Sequence, residues 1–156
     1  MSFEQLFGSD LTVAPNLAAH DASALDLTMS LRPVRRPKPG EKDEVIDLRV
    51  SSGRENLAQS LLLRLLTPRG ALAELGHAEY GSRLSELIGR GKSEELRNLC
   101  RAFVLEAVAQ EPRVEAKAVE LTFDPRAERI DNFVFTLAVQ PISGGDPVSL
   151  SLEVGL

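Results

Sequence analysis

The sequence predicts an α+β fold: a small, mainly antiparallel sheet with two principal helices packed on one face, preceded by an extended N-terminal arm. Three observations predict it. Residues 54–66 and 94–110 repeat apolar side chains at helical spacing, three C-terminal stretches alternate apolar and polar residues between turn signals, and residues 1–23 keep no packing period. At 156 residues the chain has room for one core-bearing domain and an arm.

Residues 1–23 read as an arm that orders on a partner. Strict alternation begins at Leu25, with Leu27, Met29 and Leu31 on the same side of a half-buried strand. Pro33, Pro37, Pro39 and Gly40 break it and carry Arg32, Arg35, Arg36 and Lys38 in a basic loop, read either as a solvated loop or as a partner patch. Ile46, Leu48 and Val50 resume the alternation, so the two runs pair as a hairpin across that loop.

The first helix runs from Arg54 to Leu66 and is stopped from outside by Pro68. Leu57, Ala58, Leu61, Leu62, Leu65 and Leu66 form its apolar half; Leu63 falls among Asn56, Gln59 and Ser60 on the polar side, as a solitary surface leucine or a partner contact. Ala71 to Leu75 makes a short helical turn closed by Gly76, and a second turn follows Tyr80-Gly81-Ser82. Ser93 caps the long helix, with Glu94 and Glu95 favourable at its positive end. Leu96, Leu99, Cys100, Phe103, Val104 and Ala107 form its buried stripe, and Arg97 on the polar face is expected to matter little for stability. Pro112 ends the helix by forcing Glu111 out of the helical region.

Three strands close the chain. Val119, Leu121 and Phe123 lead to an Asp124-Pro125-Arg126 turn; Phe133, Phe135, Leu137 and Val139 follow; Ser143-Gly144-Gly145-Asp146 turns into Val148, Leu150, Leu152 and Val154. Val114, Ala116 and Ala118 are out of phase with Val119 onward, which predicts a bulge near Ala118. The last strand, Val148, Ser149, Leu150, Ser151 and Leu152, is expected at a sheet edge open to strand addition.

Most chemistries find no support in the residues. A net charge of −5 opposes nucleic-acid binding. No stretch has membrane length and no basic leader precedes an apolar run, so the chain is expected to fold in the cytoplasm without inserting into a membrane. Cys100 is single and reads as a buried thiol; His20 and His77 lack ligand neighbours, so neither a metal nor any other cofactor is expected. A wall-degrading glycosidase needs a carboxyl with a raised pKa and aromatic sugar platforms. Glu79, Glu86 and Glu111 are the candidate carboxyls, but Arg113 beside Glu111 favours its ionised form, and the chain has no Trp and one Tyr. No catalytic residue is assigned. Glu111-Pro112-Arg113 is open to two readings, a surface ion pair after a helix stop or a rigid turn presenting a carboxylate and a guanidinium to a partner.

Asn56, Gln59, the leucine run, Leu66-Thr67-Pro68, Gly70, Tyr80-Gly81-Ser82, Leu84 and Glu111-Pro112-Arg113, taken in order, resemble the baseplate wedge (sheath-initiator) family of contractile-tailed phages. Its relatives occur in type VI secretion systems and extracellular contractile injection systems, and some have carried a lysozyme-like label. The resemblance spans roughly residues 47 to 155. It implies one wedge-like domain over 24–156 behind the arm 1–23, acting as a structural subunit that nucleates the contractile sheath. The implied partners are other baseplate wedge proteins, the sheath protein and the hub or tube-proximal proteins, in a sixfold arrangement within a tail-like particle. Glu111, Pro112 and Arg113, with Leu63 and Tyr80, become the expected partner-binding residues. A peptidoglycan hydrolase and a strand-capturing adaptor are the alternatives.

Overall fold

A computed structural model describes residues 8–13, 31–35 and 45–156, and its architecture is α+β. The chain divides into two compact units, 1–59 and 60–156.

In the first unit, β1 (Ser9–Leu11) pairs antiparallel with β4 (Val50–Ser52), and β2 (Leu31–Arg35) pairs antiparallel with β3 (Val45–Leu48). This differs from the expected hairpin: its first strand is built from Leu31–Arg35, residues read mostly as the basic loop, and includes Pro33, with a register irregularity between Pro33 and Arg35. In a two-stranded ladder each strand has a free edge, so a residue lacking an N–H is tolerated where it faces outward or sits at a bulge. Leu25, Leu27 and Met29 and the basic residues Arg36 and Lys38 lie outside the described residues. Ser9–Leu11, in the stretch without packing period, form a strand because β4 and a helix side chain supply its backbone partners. Val50 belongs to β4 and not to the hairpin.

Helix α1 (Gly53–Leu66) follows β4 directly. Leu57, Ala58, Leu61, Leu62 and Leu65 are buried as the wheel requires, whereas Leu66, assigned to the same half, is 43% exposed. It is the last residue of the helix, where no further turn covers it. The polar side departs from expectation more sharply: Asn56 and Gln59 are buried.

The second unit holds the three-stranded antiparallel sheet β5 (Val114–Phe123), β6 (Asn132–Pro141) and β7 (Val148–Gly155), in that order. The β5–β6 register shifts between Val114 and Val119, where the broken alternation predicts a bulge. Leu121, Phe133, Phe135, Leu137, Val139, Val148, Leu150 and Leu152 are buried. Thr136 and Ser151 stand opposite each other on the other face with their hydroxyls 3.2 Å apart. Phe123 meets Phe133 and Phe135 edge-on at 5.8 and 5.6 Å.

Helix α2 (Glu94–Ala109) starts as expected, with Ser93 Oγ accepting the Leu96 N–H at 3.1 Å. It packs on β5 and buries Leu96, Cys100, Phe103, Val104, Ala107 and Val108. Burial pushes the Cys100 thiol up to about 12, as expected of a packing residue. Arg97 corrects the sequence reading. Its side chain is 16% exposed, donates two hydrogen bonds to Glu128 at 2.6 and 2.9 Å, and lies over the rings of Phe123 and Phe133 at 5.0 and 4.8 Å. A helical wheel cannot register a carboxylate thirty-one positions away.

The segment after α1 is locked by residues that the resemblance had gathered. Ser82 Oγ donates to the Leu65 carbonyl at 2.6 Å, satisfying one of the carbonyls that a helix C-terminus leaves over. Ser82 N–H donates to Thr67 O and Arg69 N–H to Ser82 O, both at 2.8 Å. A Cβ on Gly81 would lie 2.5 Å from Thr67 O, so only glycine permits this close approach. Between the two bridged segments a short 3-10 turn, Ala73–Leu75, carries the chain toward Tyr80, and a second, Leu84–Leu87, follows Ser82.

Candidate functional site

The C-terminal end of α2 gathers Arg64, Tyr80, Gln110, Glu111 and Arg113. Pro112 ends the helix, and the turn closes with Glu111 N–H donating to Val108 O at 2.9 Å and Val114 N–H to Glu111 O at 3.1 Å. The chain therefore passes from helix to β5 with the Glu111 side chain directed inward, 4% exposed.

A buried carboxylate at the negative end of a helix needs cations. Arg113 Nε donates to Glu111 Oε1 at 2.6 Å, and an Arg64 terminal nitrogen stands 4.0 Å from Oε2. Burial pushes the Glu111 pKa upward; the hydrogen bond and charge of Arg113, with the charge of Arg64, outweigh it and leave the carboxyl below its ordinary value. Arg64 also donates to Gln110 Oε1 at 3.1 Å and stacks over Tyr80, 4.5 Å from the ring centre. Its Nε is buried and makes no hydrogen bond. The Tyr80 hydroxyl is raised, chiefly by burial.

Beside this cluster lies an open groove of about 350 Å³ lined by Arg64, Gly76, His77, Ala78, Glu79, Tyr80 and Gln110. Arg69 anchors its rim, its guanidinium bridging Glu79 and Glu106. Among the expected partner-binding residues, the structure brings Tyr80, Glu111 and Arg113 together through Arg64; Pro112 is exposed at the turn. Leu63 is half-buried on α1, and its carbonyl accepts from Thr67 N–H at 2.9 Å and Thr67 Oγ1 at 2.7 Å. Val148, Ser149, Leu150, Ser151 and Leu152 do form a strand at the edge of the β5–β6–β7 sheet, with Val148, Leu150 and Leu152 turned into the core and both serines exposed.

Arg64 is the residue sequence reasoning missed. Its only signal was position: helix α1 ends two residues later, so its side chain lies near whatever the chain brings past that terminus. Gln59 was also missed as a structural group, because its partners lie forty-six and forty-eight positions upstream.

Among the described residues no group of three or more His, Cys, Asp or Glu side chains could hold a metal ion, and no helix is long and apolar enough to cross a membrane. No protein-family model matches the chain, and no curated protein does. The chain is similar in fold to a crystal structure described as a "putative tail lysozyme" from Geobacter sulfurreducens: TM-score 0.57, 22% sequence identity, 68% of this chain and 93% of that one. The likeness takes in nearly the whole of that protein, and the two share a fold.

Proposed function

We propose that this chain is a structural baseplate wedge subunit of a contractile tail-like device, which nucleates sheath assembly without catalytic turnover. The observation that carries the reading is the likeness of fold to a protein described as belonging to a tail. The ordered residues Leu66-Thr67-Pro68, Tyr80-Gly81-Ser82 and Glu111-Pro112-Arg113 support it. In this reading the turn at Pro112 presents Arg113, held rigid by buried Glu111, to a neighbouring wedge or sheath element, while β7 lends its outer backbone to a partner strand. The partners are other wedge proteins, the sheath protein and hub or tube-proximal proteins around a sixfold axis, with neither cofactor nor nucleic acid. The subunit assembles in the cytoplasm and ends in the particle.

A second reading, a peptidoglycan hydrolase, is favoured by the word lysozyme in the description of the structural neighbour. Against it stands Glu111, whose carboxyl is held below its ordinary pKa when an acid catalyst needs the reverse. Electron microscopy of particles from cells carrying Arg113→Ala tests the first reading, beside circular dichroism of the purified variant. A folded variant with few or no sheathed particles is expected; normal yield and sheath length would overturn a required role for Arg113. Sustained peptidoglycan turnover by wild type, abolished in Glu111→Gln, would establish the hydrolase instead.

A further inference from the structure

In the first unit, β1 is held in an unusual way. Gln59, on α1 and 1% exposed, turns both ends of its side-chain amide on one stretch of backbone. Its Nε2 donates to Leu11 O at 2.8 Å, and its Oε1 accepts from Val13 N–H at 2.9 Å. The amide thus imitates a neighbouring strand, offering one donor and one acceptor to an extended peptide. On the other side Thr12 N–H donates to Arg49 O at 2.7 Å, and Ser51 Oγ donates to Asp10 O at 3.4 Å. Residues 10–13 are gripped between β4 and Gln59 by main-chain groups.

Side chains add little to that grip. Ser9, Asp10 and Leu11 are all exposed, and Thr12 alone is buried, 2% exposed. The Thr12 hydroxyl makes no hydrogen bond there. A buried hydroxyl without a partner weakens binding, so the pocket fits a β-branched apolar side chain better than the residue that occupies it.

We propose that β4 and Gln59 form a strand-acceptor site for an extended peptide segment, reading its backbone together with one β-branched side chain at the Thr12 position. Residues 9–13 of this chain are a replaceable occupant of it. The proposal is independent of the assembly role above, since it concerns residues 9–59 alone. Main-chain recognition tolerates many sequences, and the imperfect fit at Thr12 leaves room for a better ligand.

The test uses the full-length chain. Thr12→Pro removes the N–H that pairs with Arg49 and frees the acceptor. A labelled peptide of residues 8–15 should then bind saturably, at least fivefold more tightly than to wild type. Changing Thr12 to Val in the peptide should tighten binding several-fold further, and Gln59→Leu in the protein should abolish it. Absence of binding to a folded Thr12→Pro chain, or binding indifferent to Gln59→Leu, would overturn the proposal. Hydrogen exchange on wild type gives an independent reading: the Thr12 and Val13 amides should exchange at least tenfold faster than those at the centre of α2, and equal protection would mean that the segment does not detach.

Discussion

The two ends of α2 each meet a buried carboxylate held by two cations, and the difference between them separates a structural device from a candidate recognition site. Glu128 stands beside the first turn, 2% exposed, with Arg97 donating twice and Lys92 at 2.8 Å. Lys92 also donates to the carbonyls of Arg129 and Asn132 at 2.6 and 2.9 Å, so the β5–β6 loop is tied to the helix start. The positive end of a helix favours an anion, and the Arg97 hydrogen bonds, followed by those of Lys92, overcome burial and hold Glu128 at about 2. Glu111 sits at the opposite end, where the dipole opposes it. Its cations are placed differently too: Arg64 leaves one nitrogen unmatched and lines an open groove beside Tyr80, and Arg113 follows the exposed Pro112. Similar chemistry pairs both cations tightly at one end and only one of them at the other, where Arg64 stands 4.0 Å off beside a groove.

Substitutions along α2 sharpen the contrast. The largest effect belongs to the core between the clusters: Phe103 is 3% exposed, and Phe103→Ala should cost about 3–5 kcal/mol. Chemical denaturation measures it, and a loss no greater than that of Arg113→Ala would show that the helix face is wrongly assigned.

Arg97→Ala comes next, at about 2–4 kcal/mol, because it removes a two-pronged charged hydrogen bond and the guanidinium over Phe123 and Phe133. A shift in denaturation midpoint as small as that of an exposed arginine would break the claim that the Glu128 cluster is structural.

Acid should weaken both carboxylate clusters. Glu128 has its pKa lowered from 4.5 to about 2 in the folded protein, so its stabilising contribution is complete above about 4.5 and is lost as pH falls through about 2. Glu111 contributes with the same sign. Glu128→Gln should lower stability at neutral pH by about 1.5–3 kcal/mol and flatten the fall between pH 4.5 and 2. An unchanged acid profile in that variant would remove Glu128 from the account.

The smallest expected effect on stability is that of Arg113→Ala, about 1–2 kcal/mol, since its side chain is 25% exposed and Arg64 remains 4.0 Å from Glu111. Thermal denaturation beside particle assembly reads the distinction directly. A stability loss as large as that of Arg97→Ala would make both ends of the helix structural.

Much of the fold was legible in the order of residues. The helix bounds at Gly53–Leu66 and Glu94–Ala109, the Ser93 cap and the broken register before Val119 follow from periodicity and capping, which act over a few residues. Pro112 and Arg113 announced a helix stop with a neighbouring cation, and Glu111 is held ionised as that spacing required. The misread polar residues share one cause. Arg97, Gln59 and Arg64 all lie on helix surfaces that a wheel marks as polar, and a wheel treats polar as exposed.

The sequence by itself determined the two long helices and the three C-terminal strands, where the helices stop and that the last strand ends a sheet, because these are decided by local backbone preference and by alternation of apolar side chains. Tertiary structure alone decided that Gln59 grips the strand at Ser9–Leu11, that Arg97 closes on Glu128 and that Arg64 brings Tyr80 to Glu111. Each of these joins residues far apart in the chain through directed polar groups, and a buried donor or carboxylate takes whichever partner the folded backbone carries within about 3 Å of it.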